Sequence, residues 1–272
     1  MKITTDPKFK FGKVSVKIGD AIKRKDLKAF SANFFKFIVN LSKVSNDKKS
    51  TDEVQDAYKK VDDFARFYME NVKRQSEEDY FYAIDTFDIL GEIHRSFRNV
   101  EKTVEYWKEV LNVQKNNEPI LVWGMLDKIA SVYVSNQRFK EEYETLQALL
   151  KHMKDYDLYS KDPDQVYLYY LRMATALWEM GQYKECLDAN LKALKVENVT
   201  IGRRMLNIPQ LYHEMSDCYI KLDNHAMAEK VLKTKLIPLT ENWKEHDDLM
   251  SKFDLHCRYI HIFHLFYRLT KI

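Results

Sequence analysis

Residues 167–200 read YLYYLRMATALWEMGQYKECLDANLKALKVENVT, and this stretch decides the fold. Small residues stand where two helices would approach each other, at Ala174, Gly181, Cys186 and Ala193. Large apolar residues recur at three- and four-residue spacing, which places them on one face of each helix. They are Leu171, Leu177, Tyr183, Leu187, Leu191 and Leu194. The stretch therefore predicts a helical hairpin, and such a hairpin cannot bury its apolar face alone.

This pattern resembles the tetratricopeptide repeat, a helix-turn-helix unit of about 34 residues. With Tyr167 as position 1, Ala174 fills the small position 8, Gly181 is the turn glycine and Tyr183 is the aromatic residue after it. Asn198 stands where the repeat usually closes with a proline. The resemblance implies an all-α fold, a right-handed superhelical solenoid of antiparallel helix pairs.

Three more stretches fit the same pattern when position 1 is set at Ile84, Trp123 or Pro209. With the unit that begins at residue 167, the starts are 39, 44 and 42 residues apart, so each unit is longer than the short repeat. Pro119, Pro163 and Pro209 are each predicted to begin a first helix, where the missing proline amide costs nothing. The chain is therefore predicted to stack four hairpins.

The four hairpins are assigned to residues 76–243, and the second helix of the first one is expected from Val100 to about Gln114. Residues 244–272 contain the apolar segment Asp247–Leu269, which would cap the last repeat. The segment is unusually apolar for a cap, so the alternative is that it forms a homodimer interface.

A basic helical region is predicted for residues 1–75. Apolar spacing indicates helices over Val14–Arg24 and Asp26–Ser42, which would form a hairpin and a possible degenerate repeat. Lys43–Lys49 is expected to be a charged loop. No tight turn followed by a polar recognition helix is present, so the region does not match a helix-turn-helix DNA-binding domain.

Composition agrees with a helical protein and bounds its environment. Six glycines and five prolines are few for 272 residues, and no segment alternates apolar and polar residues as a half-buried strand would. Three scattered cysteines indicate buried thiols in a reducing compartment. Neither a signal peptide nor an apolar run of about 18 residues is present, so a cytoplasmic protein with no membrane partner is expected.

Charge is distributed unevenly along the chain. Residues 1–50 contain 13 Lys and Arg against four Asp, a net charge of +9, while the whole chain carries +3. Such an asymmetry can mark a segment that contacts nucleic acid or an acidic protein. The other interpretation is a solvated basic face on the first helices.

No catalytic arrangement emerges from the sequence, and a non-enzymatic protein without a cofactor is predicted. Glycine-rich phosphate loops, the HExxH motif and the ExxH motif of di-iron bundles are all missing. Cys257, His261 and His264 share one helical face, but a zinc site would need a fourth ligand. A Cys and two ring-bearing side chains on an apolar helix more often serve packing, so no metal site is predicted.

The resemblance implies that the first helix of each hairpin lines a concave groove that binds a peptide or a partner protein. Over the groove positions acidic residues number seven and basic ones four, which favours a ligand with Lys, Arg or a free amine. Trp178 is the predicted anchor, because aromatic residues dominate binding energy at interfaces. The predicted binding residues are Asp88, Glu92, Asp127, Lys128, Arg172, Thr175, Trp178, Glu179, His213 and Asp217.

Two variants of the family help to define the ligand. The type that clamps a chaperone's terminal carboxylate uses Lys and Asn in its first groove helices, whereas this chain has Asp88 and Glu92 there. The long units and the Tyr-, Phe- and Lys-rich composition look more like the repeat domains of Gram-positive intracellular peptide-pheromone receptors. A peptide-binding scaffold or regulatory receptor with a signalling role is therefore expected. The alternative is a regulator that contacts nucleic acid or an acidic protein through its basic N-terminal segment.

Overall fold

The computed structural model describes residues 10–46, 52–71, 77–114, 118–196 and 198–238, and every regular element in these ranges is a helix. The chain divides into two compact units, Met1–Val132 and Tyr133–Ile272. None of the described helices has both the length and the hydropathy needed to span a bilayer. The three-part division expected from the sequence stays a prediction.

The helices follow one another closely along the chain. In the first unit they are α1 Phe11–Arg24, α2 Leu27–Asn46, α3 Asp52–Asn71, α4 Glu77–Ser96, α5 Val100–Gln114 and α6 Pro119–Ser135, whose last turn belongs to the second unit. The second unit continues with α7 Phe139–Asp155, α8 Pro163–Glu179, α9 Tyr183–Leu194, α10 Ile201–Lys221 and α11 His225–Val231, which passes into a π-helical turn at Leu232–Leu236.

One type of turn joins five pairs of helices. Its central residue has a positive φ of 56° to 72° and is Lys25, Arg98, Gln137, Gly181 or Asp223. The amide of the next residue donates to a carbonyl five residues back, at 2.8 to 2.9 Å in all five copies. This bond is the hallmark of a helix that closes with a left-handed residue. The turns join α1 to α2, α4 to α5, α6 to α7, α8 to α9 and α10 to α11.

Small residues allow the paired helices to approach closely, as the repeat pattern predicts. Ala130, Ala174 and Ser216, all at position 8 of their units, are fully buried. Gly91 holds the same position on α4, and a Cβ there would lie 2.2 Å from Nε1 of Trp107 on α5. The predicted hairpin seams are therefore confirmed.

Several predicted helix boundaries are confirmed and others are wrong. The helix over Val100–Gln114 is confirmed to the residue, and Pro119 and Pro163 begin α6 and α8. Pro209 instead lies inside α10, which begins eight residues earlier at Ile201. The residues before Pro209 have weak apolar periodicity, so the sequence did not indicate the two helical turns that they form. A single proline inside the helix does not end it.

Two further expectations for the described residues are wrong. The segment Lys43–Lys49 was expected to be a loop, but α2 continues to Asn46 because Val44 extends the apolar spacing of Phe37 and Leu41. Leu191 was expected on the buried face of α9, but 40% of it is exposed. It lies on the side of α9 opposite Ala189 and Ala193, which are two of the buried residues of that helix. The predicted C-terminal helix and the group Cys257, His261 and His264 lie outside the described residues.

Candidate ligand-binding face

The ten predicted binding residues lie on the first helices of the four hairpins, and none of them is buried. Asp88 and Glu92 are on α4, Asp127 and Lys128 on α6, Arg172, Thr175, Trp178 and Glu179 on α8, and His213 and Asp217 on α10. In the second unit, the first-helix face is the side of α8 and α10 that bears six of these residues: Arg172, Thr175, Trp178, Glu179, His213 and Asp217. That they bind a ligand remains a prediction.

In the first unit, Lys128 joins α6 to α4. Its Nζ donates to both carboxylate oxygens of Asp88, at 2.7 and 2.9 Å, and lies 3.8 Å from Glu92. The same ammonium lies 5.5 Å from the ring centroid of Trp107, within the range of a cation–π contact. Glu92 also pairs with Arg95 at 2.7 Å. These predicted residues therefore stabilise the packing of α4 against α6.

In the second unit, Arg172 pairs with a buried carboxylate that the sequence did not single out. Arg172 Nε donates to Glu142 Oε1 at 3.0 Å, and the Glu142 side chain is only 2% exposed. Burial raises the pKa of Glu142, and the guanidinium opposes that rise. Glu142 was missed because it holds, in its own unit, the place that the small residue Cys186 holds in the unit that begins at Tyr167. The pair joins α7 to α8 and neutralises the charge of Arg172.

Glu214 connects α8, α9 and α10. Asn190 Nδ2 donates to Glu214 Oε2 at 3.1 Å, and the Thr175 hydroxyl also hydrogen-bonds this carboxylate. Burial raises the pKa of Glu214, and the bonds from Asn190 and Thr175 oppose the rise. On the same helix, His213 Nδ1 lies 3.8 Å from an oxygen of Asp217. The structure thus brings Thr175 into contact with Glu214, an acid that is not among the ten predicted binding residues.

Trp178 lies at the end of α8 beside the turn to α9. Its ring meets that of Tyr183 edge to face, with centroids 5.1 Å apart at 62°. Trp178 remains partly exposed and Glu179, the next residue, is exposed. An aromatic ring held from one side and open on the other is a suitable anchor for a ligand.

The first unit also contains a polar network that was not predicted from the sequence. His94, fully buried, places Nε2 3.1 Å from Asp62 Oδ1 and Nδ1 2.9 Å from the Tyr58 hydroxyl. Tyr106 donates to the same Asp62 oxygen at 2.6 Å. Burial alone would raise the pKa of Asp62, but the bonds from His94 and Tyr106 hold it at about 2. Each of these hydrogen bonds joins residues more than 30 positions apart in sequence, so no local pattern predicts them.

Comparisons with known proteins give the fold but no sequence family. No family model matches the sequence, and no curated protein matches it. The crystal structure of the apo form of RapI is similar, with a TM-score of 0.57 at 13% identity, over 96% of this chain and 71% of that one. BtubC (BKLC) from P. vanneervenii reaches 0.49 at 11% identity, over 92% and 95% of the two chains.

A third structure, the TPR2AB domain of yeast Sti1 in complex with pHSP90, reaches a TM-score of 0.35 at 13% identity, over 93% of this chain and 98% of that one. Of these three, the likeness to RapI supports the fold, because its TM-score is above 0.5. The chain has an all-α, tetratricopeptide-like fold of antiparallel helix pairs, as its sequence predicts. The resemblance to such repeat domains is confirmed at the level of the fold.

Proposed function

We propose that this chain is a non-enzymatic helical-repeat protein whose first-helix face binds a peptide or an extended segment of a partner protein that carries a Lys, an Arg or a free amine. Such a protein would act as an intracellular regulatory receptor or scaffold. The tetratricopeptide-like fold supports a binding role, and the charge of α8 and α10 supports the choice of ligand.

The observation that carries the proposal is the pairing of Arg172 with Glu142. Because this ion pair is internally neutral, Arg172 does not offset the acids around it. At the repeat's groove positions on α8 and α10, the remaining charged side chains are Glu179, Glu214 and Asp217 against Lys221. Complementary charge across an interface increases the association rate and selects the partner. A cationic ligand is therefore favoured over an anionic one.

Trp178 would supply the apolar part of the contact. Its ring is fixed by Tyr183, so little side-chain entropy is lost when a ligand covers it. Replacing such an aromatic anchor with alanine typically costs about 2 kcal/mol of binding, or about thirtyfold in affinity. We expect this loss for Trp178→Ala with an unchanged far-ultraviolet circular dichroism spectrum.

The test is a selection from a random peptide library on the immobilised full-length protein, followed by calorimetry with the enriched peptides. We expect enrichment of Lys and Arg. Glu179→Lys should weaken binding about tenfold, because it replaces an attraction with a repulsion. Glu144→Lys is the matched control, since Glu144 is an exposed glutamate of α7 on a second helix of the same unit. Selection of acidic or uncharged peptides, or equal losses in both variants, would overturn the proposal.

A second candidate function rests on the outer face of α1. Lys13, Lys17 and Lys23 are exposed there, and no carboxylate among the described residues pairs with them. Unpaired cations on one helix face fit a polyanion such as nucleic acid, whose affinity falls steeply as salt rises. Under this proposal the protein would be a regulator that contacts nucleic acid, or an acidic protein, through its N-terminal helices.

Fluorescence anisotropy with a labelled DNA duplex at increasing salt tests this second function. We expect the affinity to fall with salt and to fall further in Lys13→Glu/Lys17→Glu. The matched double variant is Lys140→Glu/Lys151→Glu, which reverses two exposed lysines of α7. A flat salt response, or equal losses in the two double variants, would remove nucleic acid as the partner. Binding of an acidic polypeptide in place of the duplex would assign the face to an acidic protein.

A further inference from the structure

Two buried thiols meet between the third and fourth hairpins of the chain. Cys186 on α9 and Cys218 on α10 are each 0% exposed, and the Cys218 thiol donates to Cys186 Sγ at 3.2 Å. Both are free cysteines. The tetratricopeptide pattern asks only for a small residue at the position of Cys186, and it does not require a second cysteine opposite. The contact is therefore a feature of this chain beyond its repeat pattern.

We propose that Cys186 and Cys218 form a reversible disulfide that covalently joins α9 to α10 when the protein meets a small peroxide. The sulfur atoms of a disulfide lie about 2.05 Å apart, so the pair must close by about 1 Å, which small side-chain rotations supply. The two residues are 32 positions apart and belong to successive hairpins. One disulfide would thus cross-link two hairpins that are otherwise connected only by the polypeptide and by packing.

The chemistry balances with hydrogen peroxide as the oxidant. One thiol attacks the peroxide, its sulfur becomes a sulfenic acid and the first water leaves. The second thiol then gives up its proton, its sulfur attacks the sulfenic sulfur, and the hydroxyl departs as a second water. The peroxide has taken two electrons, and the thiols have become one disulfide. A dithiol reductant reverses the step by exchange.

Protection by the surrounding protein gives the pair its selectivity. The neighbouring Cys218 thiol and burial both raise the pKa of Cys186, which keeps that thiol protonated and slow. Bulky thiol reagents should therefore fail to modify the folded protein, whereas a small oxidant that enters during brief openings finds the second thiol already in contact.

The pair lies directly beneath the first-helix face. Asn190 Nδ2 donates to Glu214 Oε2 at 3.1 Å and also lies 3.6 Å from Cys186 Sγ. A disulfide would therefore fix the spacing of α9 and α10 under Glu214. The proposed modification does not depend on the proposed ligand, so the two can fail separately.

The test uses the full-length chain with Cys257→Ala, which leaves these two thiols alone. After peroxide treatment, the protein is denatured, alkylated and digested, and its peptides are weighed. We expect one linked peptide pair containing Cys186 and Cys218, two hydrogens lighter than the separate thiol peptides. The thermal midpoint should rise by about 5–10 °C, because the bond closes a loop of about 30 residues. Dithiothreitol should reverse both changes.

Cys218→Ala in the same background is the matched control, and it should give neither the linked peptides nor the higher midpoint. Two outcomes would overturn the proposal. The first is full alkylation of both cysteines after peroxide treatment of the otherwise unaltered pair. The second is oxidation of either sulfur to a sulfinic or sulfonic acid without any linked peptide. Both are measured on a chain that retains the native pair, so they do not depend on whether Cys218→Ala folds.

Discussion

Replacing Gly91 with alanine should destabilise the protein, although the same change normally stabilises a helix. Gly91 lies inside α4, and an added Cβ would lie 2.2 Å from Nε1 and 2.4 Å from Cδ1 of Trp107. That indole is 1% exposed, and it donates to the carbonyl of Asp88 at 3.4 Å. The ring would have to shift by about 1 Å within a packed core, and a clash of this severity costs about 3 kcal/mol, the upper end of the usual range for overpacking.

The helix-propensity gain of alanine over glycine, about 1 kcal/mol, offsets only part of that cost. We expect a net loss of about 2 kcal/mol, which lowers the thermal midpoint by about 4–8 °C. Gly124 on α6 is the matched control, because it is exposed and nothing lies within 4 Å of the corresponding Cβ. Gly124→Ala should raise the midpoint by about 2–4 °C.

Thermal unfolding followed by far-ultraviolet circular dichroism measures both variants. A midpoint for Gly91→Ala at or above that of the unaltered protein would refute the close packing of α4 on α5 at this position. Because Gly91 is the small residue that allows the hairpin to close, the same result would also remove the structural reason for a small residue at repeat position 8.

Three further outcomes follow from buried charges and turns. Arg172→Met should cost about 2–4 kcal/mol at neutral pH by leaving Glu142 buried without its partner. Because burial raises the pKa of Glu142, lowering the pH should protonate this carboxyl, and the urea midpoint of the variant should then recover. A deficit that does not change with pH would contradict this. The pKa of Asp62 is about 2 in the folded chain, so its ionised form stabilises the protein above about pH 4. This stabilisation is about 1 kcal/mol after allowance for partial exposure, and it is lost as the pH falls from about 4 to about 2. Asp62→Asn should lose that acid dependence. Gly181→Ala should cost about 1 kcal/mol, because the φ of Gly181 is 72°. Gln137→Gly should be neutral or up to about 0.5 kcal/mol stabilising, because the φ of Gln137 is 57°. If the two variants lowered the thermal midpoint equally, the common turn would be refuted.

The hairpins were predictable because apolar spacing reports directly on which face of a helix is buried. Val100–Gln114 and the helices that begin at Pro119 and Pro163 follow from that spacing and from the preference of proline for the first helical turn. The turns were not predictable from glycine alone. Five copies share one left-handed geometry, but only Gly181 uses the residue that favours it. In the other four, tertiary packing of the hairpin outweighs the local preference.

The candidate face was predictable as a location but not as a charge distribution. A repeat pattern says which first-helix residues point away from the seam, and none of the ten predicted residues is buried. It does not say which charges are neutralised from another helix. Lys128 is paired with Asp88, and Arg172 is paired with Glu142 from a position reserved for small residues. Both pairs connect residues 30 or more positions apart, beyond the reach of any local pattern.

Polar contacts on both sides of the α8–α9 hairpin have a common consequence in the second unit. On one side of the α8–α9 hairpin, Glu142 of α7 holds Arg172 of α8, and breaking such a buried pair is costly. On the other side, Cys186 of α9 contacts Cys218 of α10, next to the bond from Asn190 to Glu214. The hairpin that carries Trp178 is therefore tied to both of its neighbours by polar contacts that apolar packing alone would not require. A residue held on an element fixed from both sides loses little freedom when a ligand arrives, so these contacts favour α8 as the anchoring element of the proposed binding face.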